Sequence, residues 1–239
     1  FSFNAGDLQR AMDVHKRRLE TARRLMESDA ADRLARINMA IAESESATPQ
    51  IERDPPRAIQ LAQSALARWE VLLQEHPGDE FGTPVRARAK LRLALALIHS
   101  ERPREAIAPS QEAAGTFHEL QTKNPEENYY KRNLVFALTI SAQALAAAKR
   151  EEEARQTYAE AVELGEKLRA REHATLSHTL AASYAFDHFG DYWASRGDAA
   201  QAQQWFARSS QAWAARNEQT PVVQRRRRQA EEKLRGIQP

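Results

Sequence analysis

The sequence predicts an all-α protein, a right-handed α-solenoid of antiparallel helix pairs with about ten helices. Three observations carry this prediction. Glycine (8) and proline (10) are few among 239 residues, and alanine supplies much of the 42% apolar fraction, a balance that favours helix throughout. Small residues recur with a period of 48: Ala58, Ala106, Ala154 and Ala202 are in phase, and so are Ala65, Ala113, Ala161 and Ser209. The set Ser46, Ala94, Ala142 and Gly190 precedes them, and Trp69, Phe117, Gly165 and Trp213 follow. Repetition at this length is a solenoid signature. Finally, connectors such as SERP (100–103) and SRGD (195–198) are short enough to make successive helices antiparallel neighbours.

In chain order, residues 6–29 read as the turn and second helix of a truncated repeat. Residues 30–77 form repeat 1, with the irregular TPQIERD (48–54) where a tight turn belongs. Residues 78–125 form repeat 2 and close at Pro125, where proline stops a helix, as Pro77 does one period earlier. Repeat 3 (126–172) divides into helices over 125–149 and 151–171, and repeat 4 (173–219) into helices over 173–196 and 198–217. EEE (151–153) starts a helix where negative charge suits the positive end of the dipole. In SRGDAAQAQQWFARSSQAW (195–213), Ala202, Phe206 and Ser209 share one helical face bordered by Trp205 and Trp213, which reads as core. Thr220 and Pro221 form an N-cap and N1 pair for a capping helix over 220–239. Val223, Ala230, Leu234 and Ile237 make its thin apolar stripe. The 1–239 span is thus expected to be one repeat domain.

The small triplets Ser46/Ala58/Ala65, Ala94/Ala106/Ala113, Ala142/Ala154/Ala161 and Gly190/Ala202/Ser209, with Gly197 at a turn and proline at the unit's end, resemble the tetratricopeptide repeat (TPR) family. The repeat departs from the family's 34 residues by fourteen, about four helical turns, which leaves each apolar stripe nearly in register. The N-terminal segment is similar to long TPR units beside bacterial serine/threonine kinase domains. The resemblance implies a concave groove lined by the first helix of each repeat. By position it would present Arg88, Leu91, Leu95, Ile98 and His99, then Phe136, Thr139, Gln143, Ala146 and Ala147, then Tyr184, Asp187, Asp191, Ala194 and Ser195. Such a surface suits an extended peptide or an amphipathic helix.

Other chemistry is weakly represented. There are no cysteines, so disulfides and thiolate metal sites are excluded. His173, His178 and His188 are not spaced to share a helical face, and no metal site or cofactor is expected. RRRR (225–228) points around most of a helix and reads as a solvated face, without the aromatic residues that stack on bases. Net charge is +2, from 35 basic and 33 acidic residues, too slight to argue for nucleic acid. No phosphate loop or serine nucleophile elbow is present, so no catalytic residues are expected.

The functional expectation is a protein- or peptide-binding scaffold that is not itself an enzyme. Alternatives are a regulatory segment of a larger signalling enzyme such as a bacterial serine/threonine kinase, a homodimerising module, and a small-molecule sensor using Phe136 and Tyr184. The absence of an initiating Met suggests a piece of a longer protein. The chain is expected to be soluble, either cytoplasmic or part of a membrane-anchored protein, without membrane contact of its own.

Overall fold

The computed structural model describes residues 5–170 and 174–237. Among them are ten α-helices and no strand: α1 (Ala5–Ser28), α2 (Arg33–Ala47), α3 (Pro55–Glu75), α4 (Gly82–His99), α5 (Pro103–Lys123), α6 (Asn128–Ala147), α7 (Glu151–Arg169), α8 (Leu176–Ala194), α9 (Ala199–Ala214) and α10 (Pro221–Arg235). The chain divides into two compact units at Thr116/Phe117, within α5. Each is described by itself.

Local chemistry explains where the helices begin. Asp32, Asp54 and Asp198 accept hydrogen bonds from backbone N–H groups in the first turns of α2, α3 and α9, which satisfies donors with no partner inside the helix. Two starts fall later than the sequence suggests. The segment before α6 stays non-helical until Asn128 because the Glu127 carboxylate caps from outside, accepting from Tyr129 N at 2.8 Å. Likewise α8 starts at Leu176, capped by Thr175, whose backbone N–H donates to His178 Nδ1 at 3.2 Å. At the N-terminus, Gly6 lies inside α1 and makes no turn, so 5–28 is one continuous helix. Arg171 to His173, the expected end of α7 and start of α8, lie outside the described residues. In repeat 1, TPQIERD becomes a single 3₁₀ turn (Thr48–Gln50) with Ile51 buried beneath it.

The tight turns also follow the period of 48. Glu101, Lys149 and Gly197 have φ of 58°, 66° and 77°, the left-handed conformation that reverses a chain after a helix. Glycine stands only at the last, so the other two turns place a charged side chain where the backbone favours none.

Packing within the first unit follows the antiparallel order. Arg36 near the start of α2 makes a two-pronged ion pair with Glu75 at the end of α3, both bonds 2.8 Å. Glu43, farther along α2, binds Ser64 and Arg68 in the middle of α3. Ile37, Ala40, Trp69 and Leu72 fill the space between these helices, with Val85 of α4 against them.

In the second unit, Glu151 at the start of α7 meets Arg196 just beyond α8, and Gly165 near the end of α7 meets Ala182 in α8. A Cβ on Gly165 would lie 3.0 Å from the Ala182 Cα, so the two backbones touch. The final hairpin closes as Arg216 donates to Ala174 O at 2.7 Å. α10 then lies along α9 with Val223 and Ala230 buried against Trp213. First helices of successive hairpins pack on each other too, α2 on α4 and α6 on α8. Among the described residues no helix is long and apolar enough to cross a membrane.

Every small residue of the expected phases is buried: Ala58, Ala65, Ala94, Ala106, Ala113, Ala142, Ala154, Ala161, Ala202 and Ser209 are all 0% exposed. Two glycines separate packing from propensity. A Cβ on Gly190 would sit 2.5 Å from Phe206 Cε1, inside a buried ring that has nowhere to go, whereas one on Gly115 in α5 meets nothing within 4 Å. Gly190→Ala should therefore destabilise the fold by about 1–3 kcal/mol. Gly115→Ala should stabilise it by roughly 1 kcal/mol through helix propensity. Urea denaturation of both variants reads the opposite signs.

Candidate functional site

The second unit brings part of the expected groove together. Gln143, Ala146 and Ala147 at the end of α6 and Asp191 and Ser195 at the end of α8 line one open pocket of about 470 Å³. Lys149, Glu151, Tyr158, His188, Tyr192 and Arg196 complete its wall. The α6–α7 turn supplies Lys149, and the first two turns of α7 supply Glu151 and Tyr158.

Aromatic packing sets the floor. The Tyr158 ring stacks on Phe189 at 5.1 Å between centroids, with an interplanar angle of 16°, and leans on Tyr192 at 5.4 Å. Burial drives the Tyr158 phenol well above its ordinary pKa, so it remains an O–H group across the working range. On the rim, Arg196 lies over the Tyr192 ring at 3.7 Å while its guanidinium binds the Glu151 carboxylate. That hydrogen bond holds Glu151 below its ordinary pKa. Tyr192 donates from its hydroxyl to Glu151 O at 3.3 Å.

Tyr184 stands behind this pocket. Its hydroxyl accepts from Gln143 Nε2 at 3.2 Å, and its ring meets Phe136 and His188 edge-on at 5.3 and 4.3 Å. Burial raises its phenol to about 12. The Phe136/Tyr184 region considered for a sensor is therefore filled by its own side chains.

Several other expected groove residues turn inward. Leu91 and Leu95 of α4 are buried in the first unit, where Arg88 and Ile98 are half-buried. His99 is exposed, with its Nδ1 3.0 Å from Leu95 O. Thr139 is 0% exposed and its hydroxyl donates to Val135 O, which leaves nothing for a ligand to touch. A helix whose neighbours lie on both sides exposes a narrower stripe than positional transfer assumes.

At the acidic end of the groove, side chains of α10 meet both carboxylates, although Asp191 stays exposed. Lys233 binds both oxygens of Asp191 at 2.6 and 2.7 Å. Asp187 is half-buried, and its Oδ1 has no hydrogen-bond partner; Ser209 lies near without a well-aligned bond. Burial raises the Asp187 carboxyl to about 6, although Lys233 and Arg226 pull it down. Arg226 is itself lowered by burial and raised by Asp187.

The arginine run is thus not the solvated face expected. Arg225, Arg226 and Arg227 are half-buried and only Arg228 of the four is exposed. Positions 223, 226, 227 and 230 share the face that α10 lays on α9. Arg227 donates to Trp213 O at 3.0 Å and to Arg216 O, closing carbonyls at the end of α9. Among the described residues no group of three His, Cys, Asp or Glu side chains is placed to hold a metal.

Six pocket residues were not among the expected ones. Lys149 carried a signal: a lysine occupies the turn position where glycine stands 48 residues later. Tyr158 is in phase with Phe206 and reads as core, so nothing in the sequence marks its hydroxyl. Glu151, His188, Tyr192 and Arg196 meet only through the α7–α8 packing.

These features define a class: an all-helical protein of stacked hairpins with a small open pocket between neighbouring first helices. Among solved structures the chain is similar to the crystal structure of BtubC (BKLC) from P. vanneervenii, with TM-score 0.61 and 18% identity over 98% of this chain and 84% of that one. At that identity the likeness shows the fold. No protein-family model and no curated protein matches the chain.

Asp187 makes the fold sensitive to pH. Its carboxyl binds a proton more readily folded, at about 6, than unfolded, near the ordinary 3.8. The folded state holds the extra proton between those values, so Asp187's contribution to stability falls as pH rises from 4 to 6. The deficit above pH 6 is about 3 kcal/mol at most. Asp187→Asn should accordingly be more stable than the parent at pH 8, with the gap narrowing toward pH 4.5, as read by urea midpoints.

Proposed function

We propose that this chain is a peptide-binding scaffold of lengthened tetratricopeptide-like hairpins, and that the pocket between α6 and α8 receives a side chain of the docked segment. The small-residue triplets and left-handed turns that recur every 48 residues support the family assignment. The observation that carries the binding reading is the pocket itself. Groove positions from two successive first helices converge on it, and its wall mixes aromatic faces with polar groups at a volume of about 470 Å³. The wall is about as polar as it is apolar, which suits a polar or charged side chain more than an apolar one. The ends of α6 and α8 and the α6–α7 turn hold it, so it is built on rigid elements rather than on a long loop. No catalysis by this chain is part of the reading.

Ala147 is exposed and lines the pocket, so a large residue there fills the space without entering the core. In a selection from a random dodecapeptide display library, the parent should enrich peptides that Ala147→Trp captures at least tenfold less well, with an unchanged helical circular dichroism spectrum. Equal capture by the filled variant removes the pocket from the reading.

A further inference from the structure

The chemistry of the pocket narrows what enters it, and the following rests on the peptide-binding reading above. Tyr158 is 2% exposed, lines the pocket, and takes part in no hydrogen bond among the described residues, although its ring is held on two sides. Its hydroxyl opens into the pocket, so a group docked there meets an O–H donor that no other described side chain occupies.

Charge selects among partners. Arg196 is committed to Glu151, and Asp191 is met by Lys233 and, at 3.8 Å, by His188, so neither carboxylate stands unbalanced. Lys149 is exposed on the rim and forms no ion pair among the described residues. The pocket therefore offers one cation outside these close pairs, whose field also reaches Glu151, and one O–H donor that opens into it. A monoanion that accepts both fits this pair. A phosphate dianion fits poorly, because Glu151 and Asp191 stand on the same wall and a single excess cation cannot balance two charges. A ligand ammonium is disfavoured by Lys149.

We infer that the pocket recognises a carboxylate, the side chain of an aspartate or glutamate in the docked peptide, with the Tyr158 hydroxyl donating to one oxygen and the Lys149 ammonium facing the other. The Tyr158 hydroxyl contributes orientation from below and Lys149 contributes charge from the rim. Ring contacts with Phe189 and Tyr192 hold the Tyr158 ring, which fixes where its hydroxyl stands.

Two substitutions test this without disturbing the fold. Tyr158→Phe keeps the stacked ring and removes only the hydroxyl. Lys149→Gly removes the charge at a position with φ of 66°, where glycine is the less strained residue, so this variant should fold at least as well as the parent. The probes are the dodecapeptides selected on the parent protein and their counterparts with every Asp and Glu replaced by Asn and Gln. Fluorescence polarisation should show acidic peptides enriched, their amide counterparts bound at least tenfold more weakly, and each variant weakened about five- to tenfold toward the acidic peptides alone. Enrichment of neutral or basic peptides that Ala147→Trp still rejects overturns the carboxylate inference and leaves the binding pocket standing. Parent-like affinity in Tyr158→Phe or in Lys149→Gly also overturns it. If no peptide is selected at all, the peptide-binding reading fails and takes this inference with it.

Discussion

Backbone-to-backbone approach between neighbouring helices is the constraint on which the rest of this protein depends. Helices separate by 8–10 Å according to the side chains at their crossing. Here the crossings are lined by residues with one carbon or none beyond the backbone. Gly165 rests on the Ala182 backbone, Gly190 admits the Phe206 ring, and alanines at 58, 106, 154 and 202 have no exposed surface. Bulk is then displaced to positions one turn away, where Trp69, Phe117 and Trp213 are buried almost completely. Dense packing of this kind tolerates neither added nor missing atoms. The period of 48 is therefore a record of contact geometry repeated along the chain.

Close approach brings helix ends into register, and that sets where charge can be placed. Each tight turn presents its left-handed residue beside the start of the next helix. At Gly197 this is a neutral reversal; at Lys149 the same geometry delivers an ammonium to the mouth of a pocket. Glu151, two residues on, meets Arg196 beyond α8 because α7 and α8 run antiparallel at close range. The polar rim of the pocket is thus a by-product of how hairpins stack, while its aromatic floor is part of the core.

α10 shows the opposite use of charge. It seals the last hairpin by burying Val223 and Ala230 against Trp213, as the end of a solenoid requires. Its basic residues then answer two carboxylates of α8 and the open carbonyls of α9. Burying Asp187 beneath it costs more than its cations return, since the carboxyl is raised despite Arg226 and Lys233. The arrangement half-buries Asp187 and pairs the exposed Asp191 with Lys233, which leaves Lys149, among the described residues, as the unpaired cation of the neighbouring pocket.

Much of the architecture is legible in the sequence. Helix content, the phases of small residues, the aromatic fillers, the capping Thr220-Pro221 pair and the end of α5 before Pro125 all follow from local preference and periodicity, which act within a few turns of chain. Placement of the candidate site was legible only in part: Gln143, Ala146, Ala147, Asp191 and Ser195 do meet, while Leu91, Leu95 and Thr139 are buried. Helix starts at Asn128 and Leu176 shifted because caps outside the helices outcompeted the hydrophobic pattern. By itself the sequence determined which faces must be narrow and how often. Only the tertiary structure decided that Lys233 and Arg226 of α10 meet Asp191 and Asp187, and that the Tyr158 hydroxyl opens into a pocket. Those outcomes depend on side chains about 30 or more residues apart meeting through packing, and no local periodicity encodes such a distance.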